Sequence, residues 1–276
     1  MLLATGGMGA AGAGAQGAGG RRAGGVSGLR KVAVLCGKDF ADVLKNPTML
    51  VMCLFPVAFV LLYRFMMGQA LGDASAADLA EANVFLATFL LSAALSMTVG
   101  MVTCMTVIYG LSEEKEKHTL RTLMLANVSA GQILASRLIL SLVLTAVVSA
   151  ACFVLIPGTQ MGMLAPYLGI CVLGGVPAAL ISMVAGLAAR DQMTASLYGV
   201  PLMLVCLLPM MQAFGDVLAA VARFAPTGGA SDLLSLLAAG RLFTTDALLP
   251  LGATLVWIAV GVVVFAGLYK RLLRDN

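Results

Sequence analysis

Long apolar runs dominate this chain, and the polar stretches between them are short. Six runs approach the roughly 20 residues that cross a bilayer core: 48–66, 84–109, 132–156, 165–189, 193–214 and 247–269. The second is long enough to project beyond the membrane. Pro56, Pro177, Pro201 and Pro209 fall inside these runs, as membrane helices permit when neighbouring groups satisfy the freed carbonyls. The pattern predicts an all-α integral membrane protein with six transmembrane helices.

Two polar segments change that picture. Residues 29–46 predict an N-terminal amphipathic helix. Leu29, Val32, Cys36, Phe40 and Val43 trace one apolar face, while Lys31, Lys38 and Lys45 recur every seventh residue on another. Such a helix lies in the membrane interface with its lysines towards lipid headgroups. Pro47 then ends it and opens the first span. Residues 111–137, LSEEKEKHTLRTLMLANVSAGQILASR, form a charged island between the second and third runs. Ser112 is placed to N-cap a short helix with Glu113, Glu114 and Glu116 in its first turn, where the helix dipole favours negative charge. Leu120, Leu123 and Met124 fall at i, i+3 and i+4 and give that helix one apolar face. It can lie flat on a partner or on the bilayer.

The remaining segments are simpler. Residues 1–28 are Gly/Ala-rich with the pair Arg21–Arg22, which predicts a disordered tail; the basic pair follows the Gly-rich stretch, against the order of a signal peptide. Of the loops on the other side, 67–83 is acidic (Asp73, Asp78, Glu81) and 157–164 is only a turn. The longest, 215–246, predicts short helices at 217–224 and 231–239 around Ala225–Pro226–Thr227–Gly228–Gly229, a hairpin that dips back without crossing.

Composition agrees. The 276 residues are 61% hydrophobic and 11% charged, against about 25% charged in a soluble domain. Orientation follows from Lys and Arg. With both termini cytosolic, only Arg64, Arg223 and Arg241 of the 17 basic residues fall outside. The expected location is the plasma membrane, multi-pass, with both ends inside. The six cysteines sit in the N-terminal segment or in apolar runs, which predicts small buried hydrophobes rather than disulfides.

Several chemistries are absent from the sequence. A P-loop needs GxxxxGK[ST]; the nearest approach, Gly37–Lys38, has Val32 at the first Gly position and Asp39 after the Lys. No HExxH, paired CxxC or GxSxG occurs, and the one histidine, His118, sits among Glu and Lys. The central thirds of the spans carry no acids or bases, which proton- or ion-coupled carriers keep near the midplane. Neither a catalytic residue nor a metal site is expected. One span has a distinctive face: Thr88, Ser92, Ser96, Gly100 and Cys104 recur every four residues. Close helix packing by small residues explains it; a weakly polar pathway wall, with Tyr198 and Gln212, is the other reading.

Together these features resemble the membrane subunits of ABC exporters of the type-2 permease class, over residues 29–276. The resemblance rests on the amphipathic helix ending Lys45–Asn46–Pro47, six spans with both ends inside, and the charged island after a long second span. In that family the island reads roughly E-[KR]-E-x-G-T-[LI]-E-x-L; here it is Glu114–Lys115–Glu116–Lys117–His118–Thr119–Leu120–Arg121–Thr122–Leu123. His118 replaces the usual Gly, Arg121 the usual acid, and Asn127–Val128–Ser129 stands where a proline-containing turn is common.

The resemblance implies a non-enzymatic subunit in which Glu113, Glu114, Glu116, His118, Thr119, Leu120, Arg121 and Leu123 form a coupling helix docking on a separate ABC ATP-binding subunit. That subunit would hold ATP and Mg, and this chain no cofactor. The resemblance also implies that helix 29–46, with Lys31, Lys38, Phe40 and Lys45, touches the ATPase. A second permease copy, identical or a sister chain, would complete a pathway lined by the second and fifth spans. The longest outer loop would cap the exit. The partners are thus protein and bilayer, with no nucleic acid. Two other readings remain at this point: a membrane assembly or anchoring protein, and a self-sufficient channel or carrier.

Overall fold

The computed structural model describes residues 23–70, 76–117, 119 and 128–272. Helices account for nearly all of them, and no strand occurs among the described residues. In chain order the helices are α1 (Ala23–Lys45), α2 (Pro47–Ala70), α3 (Ala76–Met97), a π-helical segment (Thr98–Cys104), α4 (Met105–Glu116), α5 (Ala130–Leu155) and α6 (Leu164–Ala188). They are followed by α7 (Gln192–Leu207) with a 3-10 extension (Leu208–Phe214), α8 (Asp216–Ala222), α9 (Gly228–Ala238) and α10 (Leu248–Leu272).

Six helical stretches are long and apolar enough to cross a membrane: Pro47–Gln69, Val84–Glu116, Ala130–Leu155, Met161–Ala188, Gln192–Phe214 and Thr245–Leu268. Local chemistry sets where they start. Asn46 caps α2, its Oδ1 accepting from the Thr48 and Met49 amides at 3.0 and 3.4 Å, with Pro47 at the first helical position. Ser129 and Gln132 close a capping box on α5: the Ser129 hydroxyl accepts from the Gln132 amide at 3.3 Å, and Gln132 Oε1 accepts from the Ser129 amide at 3.0 Å. Asp191 Oδ1 accepts from the Thr194 amide at 2.7 Å and caps α7. That bond holds the Asp191 carboxyl below its ordinary value, because it favours the charged form.

The second span is the hub. In its most apolar window 72% of residues are buried within the chain, against 17% in the first, fifth and sixth. Leu90, Leu95, Val99, Val102, Val107 and Leu111 have no exposed surface. The π-helical segment lies midway along it and packs against α5, α6 and α7. There the Thr103 and Thr145 hydroxyls share a hydrogen bond of 2.5 Å.

Helices α8 and α9 form the hairpin that the 215–246 stretch predicts, with α9 beginning at Gly228 rather than 231. Unlike a surface loop, α9 is buried among α3, α6 and α10. Glycine permits this. A Cβ on Gly229 would lie 2.5 Å from the Pro250 carbonyl oxygen, and one on Gly174 2.6 Å from Ala230 Cβ.

Helix α1 buries one narrow face against the bundle. Leu35, Asp39 and Val43 are its buried positions, while Phe40, Val34 and Leu44 are exposed. Of the predicted apolar face, Val43 is buried, Val32 and Cys36 are half-buried and Phe40 is exposed. Asp39 is inward because α5 supplies it with partners, and Phe40 remains available to lipid.

Candidate functional site

The charged island is where most ion pairs of the described residues gather; Arg223–Asp232 and Arg241–Asp246 lie instead in the 215–246 stretch. Sequence reasoning starts a new helix at Ser112; the structure instead continues α4 through Ser112 to Glu116. Ser112 is a buried mid-helix residue whose hydroxyl donates back to the Tyr109 carbonyl at 3.1 Å. No proline lies between Tyr109 and Glu116, and burial of Leu111 against α6 outweighs the weak helix propensity of Gly110, so propagation prevails over a fresh start. The acids therefore sit at a helix C-terminus, where the dipole disfavours them, and each is answered by a partner.

Those partners tie the end of α4 to most of the bundle. Glu113 pairs with Lys117 one turn on. Lys115 Nζ donates to the Leu187 and Ala189 carbonyls at 2.5 and 2.8 Å, closing the C-terminus of α6. Glu116 Oε2 accepts from the Gln192 amide at 3.2 Å, at the N-terminus of α7. Glu114 is buried, and its Oε1 accepts from Arg137 Nη2 of α5 at 2.6 Å. The same Arg137 nitrogen lies 3.3 Å from Asp39 Oδ1 of α1. Asp39 Oδ2 accepts from the Ser136 hydroxyl at 3.3 Å.

Asp39, Glu114 and Arg137 are 1%, 5% and 4% exposed, so three helices meet at a desolvated ion cluster. Burial raises the Asp39 carboxyl above its ordinary value, with Arg137 pulling the other way and Glu114 adding to the rise. Lys38, half exposed, sits over the cluster at 3.5 Å from Asp42, 3.8 Å from Glu114 and 4.0 Å from Asp39. Gly110 makes room for the guanidinium: a Cβ there would lie 2.7 Å from Arg137 Nη1.

Sequence reasoning counted Arg137 only as an orienting charge and overlooked Asp39. The signals were present: an Arg seven residues into an otherwise apolar helix, and an acid between Leu35 and Val43 on one helical face. Of the predicted coupling residues, Glu113, Glu114 and Glu116 are brought together at this end, but all three are engaged within the chain. Thr119 donates to the Glu114 carbonyl at 3.2 Å. His118, Leu120, Arg121 and Leu123 lie outside the described residues.

The stripe of every fourth residue on the second span faces protein. The Ser92 hydroxyl shares a 2.5 Å hydrogen bond with that of Ser231 on α9. A Cβ on Gly100 would meet the Met203 carbonyl at 3.2 Å, and Cys104 Sγ lies 3.9 Å from Cys206 Sγ. Ser96 is fully buried, and Thr88 is half-buried and bonded to the Val84 carbonyl. Tyr198 is exposed, whereas Gln212 is half-buried with its amide nitrogen lacking a partner. No cluster of metal-ligating side chains occurs among the described residues.

The family model for ABC-2 family transporter protein matches residues 77–268, from the start of the second span through the sixth. The chain belongs to the ABC-2 transporter family. It is a multi-pass, ABC-2-type permease. No curated protein matches it. The match takes in the whole ionic hub except α1, so Glu114 and Arg137 lie inside the family domain and Asp39 lies in the preceding helix.

Proposed function

We propose that this permease is the membrane subunit of an ABC exporter, driven by a separate ATP-binding subunit docked on the segment that follows α4. The family match over 77–268 carries the reading. The course of the second span supports it. One helical path runs from Val84 to Glu116, through the core of the bundle to the island. Its end is held to α1, α5, α6 and α7 by the contacts of Glu114, Lys115 and Glu116. A push on residues 117–127 would reach the bundle as a rigid displacement of the second span, not as bending of a loop. Charge bias puts this end in the cytosol, in the plasma membrane, with both termini inside.

Nucleotide and Mg would bind to the partner, leaving this chain no chemical step. The weakly buried first, fifth and sixth spans leave large apolar faces. We assign part of that surface to a second permease copy, identical or sister, with the pathway between the two. The test is capture of the tagged protein in mild detergent, with mass spectrometry of partners and an ATPase assay. Wild type should retain a P-loop ATPase, and Leu120→Asp with Leu123→Asp should lose it while keeping the wild-type melting temperature. A stable protein that never retains an ATPase would point to an anchoring role instead.

A further inference from the structure

Beside the ion cluster, between α1, the α1–α2 corner and the end of α4, lies a cleft of about 530 Å³. Its inner wall is Asp39, Glu114 and Arg137; Lys38, Asp42 and Lys45 stand around it, and Val43 and Met49 supply an apolar side. The inner wall holds buried polar atoms without partners: one donor, Arg137 Nε, and two carboxylate oxygens. Glu114 Oε2 has no hydrogen-bond partner, and Asp39 Oδ1 has the guanidinium at 3.3 Å but no hydrogen bond. Both residues are more than nine-tenths buried. Buried carboxylate oxygens without donors are costly and rare.

Lys38 answers them incompletely. Its ammonium lies between 3.5 and 4.0 Å from three different carboxylates, beyond hydrogen-bond length for each. It neutralises charge without supplying the missing bonds. At the outer side Lys45 makes no ion pair among the described residues and is exposed. The cleft therefore has acceptors in its depth and ammonium groups at its mouth. That order matches a zwitterion entering amine first with its anion left outside.

We propose that this cleft binds the phosphoethanolamine headgroup of a membrane lipid. Its ammonium takes the place of Lys38 among Asp39, Asp42 and Glu114, and its phosphate lies between the displaced Lys38 and Lys45. A primary ammonium brings three N–H donors, which the unpartnered carboxylate oxygens lack. A trimethylated choline brings none and is bulkier. The lipid source follows from position. The cleft opens where α2, a membrane-crossing helix, begins, with Val43 and Met49 beside the headgroup and the exposed Val51, Leu54 and Phe55 of α2 next along for acyl chains. The site needs no ATPase and stands apart from the coupling reading.

The test is native mass spectrometry of the purified full chain after exchange with equimolar phosphatidylethanolamine, its mono- and dimethyl forms, and phosphatidylcholine. Wild type should retain phosphatidylethanolamine at least about fivefold over phosphatidylcholine, a gap near 1 kcal/mol, with retention falling at each added methyl. Asp42→Asn with Lys45→Ala, both exposed and outside the buried cluster, should lower retention of both lipids severalfold, through the lost phosphate contact, and narrow the preference. Equal retention of the two lipids by wild type overturns the proposal, and needs no variant to fold. So does retention of both lipids that the double substitution leaves unchanged. Protection by soluble O-phosphoethanolamine without lipid retention overturns the lipid source. Loss of ATPase capture in the double variant without any lipid preference would reassign the cleft to a basic side chain of the partner.

Discussion

Arg137→Met isolates what the ion cluster contributes. The guanidinium is 4% exposed and lies 2.6 Å from Glu114 Oε1 and 3.3 Å from Asp39 Oδ1, so solvent screens neither contact. Removing it leaves two carboxylates, 1% and 5% exposed, with only Lys38 near both. Breaking a buried pair in this way costs about 3–5 kcal/mol. For a chain of this size that is a fall of roughly 6–20 °C in melting temperature. The assay is thermal unfolding in mild detergent.

A triple variant, Asp39→Leu, Glu114→Met and Arg137→Met, should recover most of the loss, since replacing a whole buried cluster by apolar groups is near neutral. The pH dependence fixes the cause. Burial already raises Asp39, and losing Arg137 removes its main lowering influence, so the folded value climbs further. An acid whose folded value exceeds its unfolded value takes up protons more readily when folded, so stability grows as pH falls through that window. The Arg137→Met deficit should therefore shrink between pH 8 and pH 5. A variant within about 2 °C of wild type at neutral pH, or a deficit that does not change with pH, would refute the reasoning.

The remaining predictions concern glycine. Gly110→Ala should destabilise by about 1–3 kcal/mol, because its Cβ would fall 2.7 Å from a guanidinium that two carboxylates hold in place. In an Arg137→Met background the same change should cost little, which a double-mutant cycle on melting temperatures checks. Gly229→Ala should prevent α9 from seating on α10, since its Cβ would lie 2.5 Å from a backbone oxygen. Gly252→Ala, which meets nothing within 4 Å, is the matched control. Size-exclusion profiles of the two should differ, Gly229→Ala running as aggregate.

Membrane crossing was legible because it is a local property. About 20 apolar residues in series settle the matter by themselves, and the six helices fall where hydropathy puts them. Helix starts were equally local at Asn46 and Pro47, where a cap side chain and a fixed φ act within four residues. The family was readable for the same reason, since its island motif and span order are linear features. Ser112 shows the limit: it is a residue type that caps helices, but burial of Leu111 against α6 carries the helix through it.

What only the tertiary structure decided is which polar residues meet. Hydropathy marks Arg137 as an exception to its helix and Asp39 as one of several charges on α1, and cannot pair them, because their partners lie on other helices. The second span shows the same division. Its length and its stripe of small residues follow from the sequence. That the stripe packs against α7 and α9 depends on which helices the fold sets beside it. Composition determines which segments leave water, since that free energy adds residue by residue. Pairing among those segments depends on close contact between side chains distant in the chain, and only the assembled bundle supplies it.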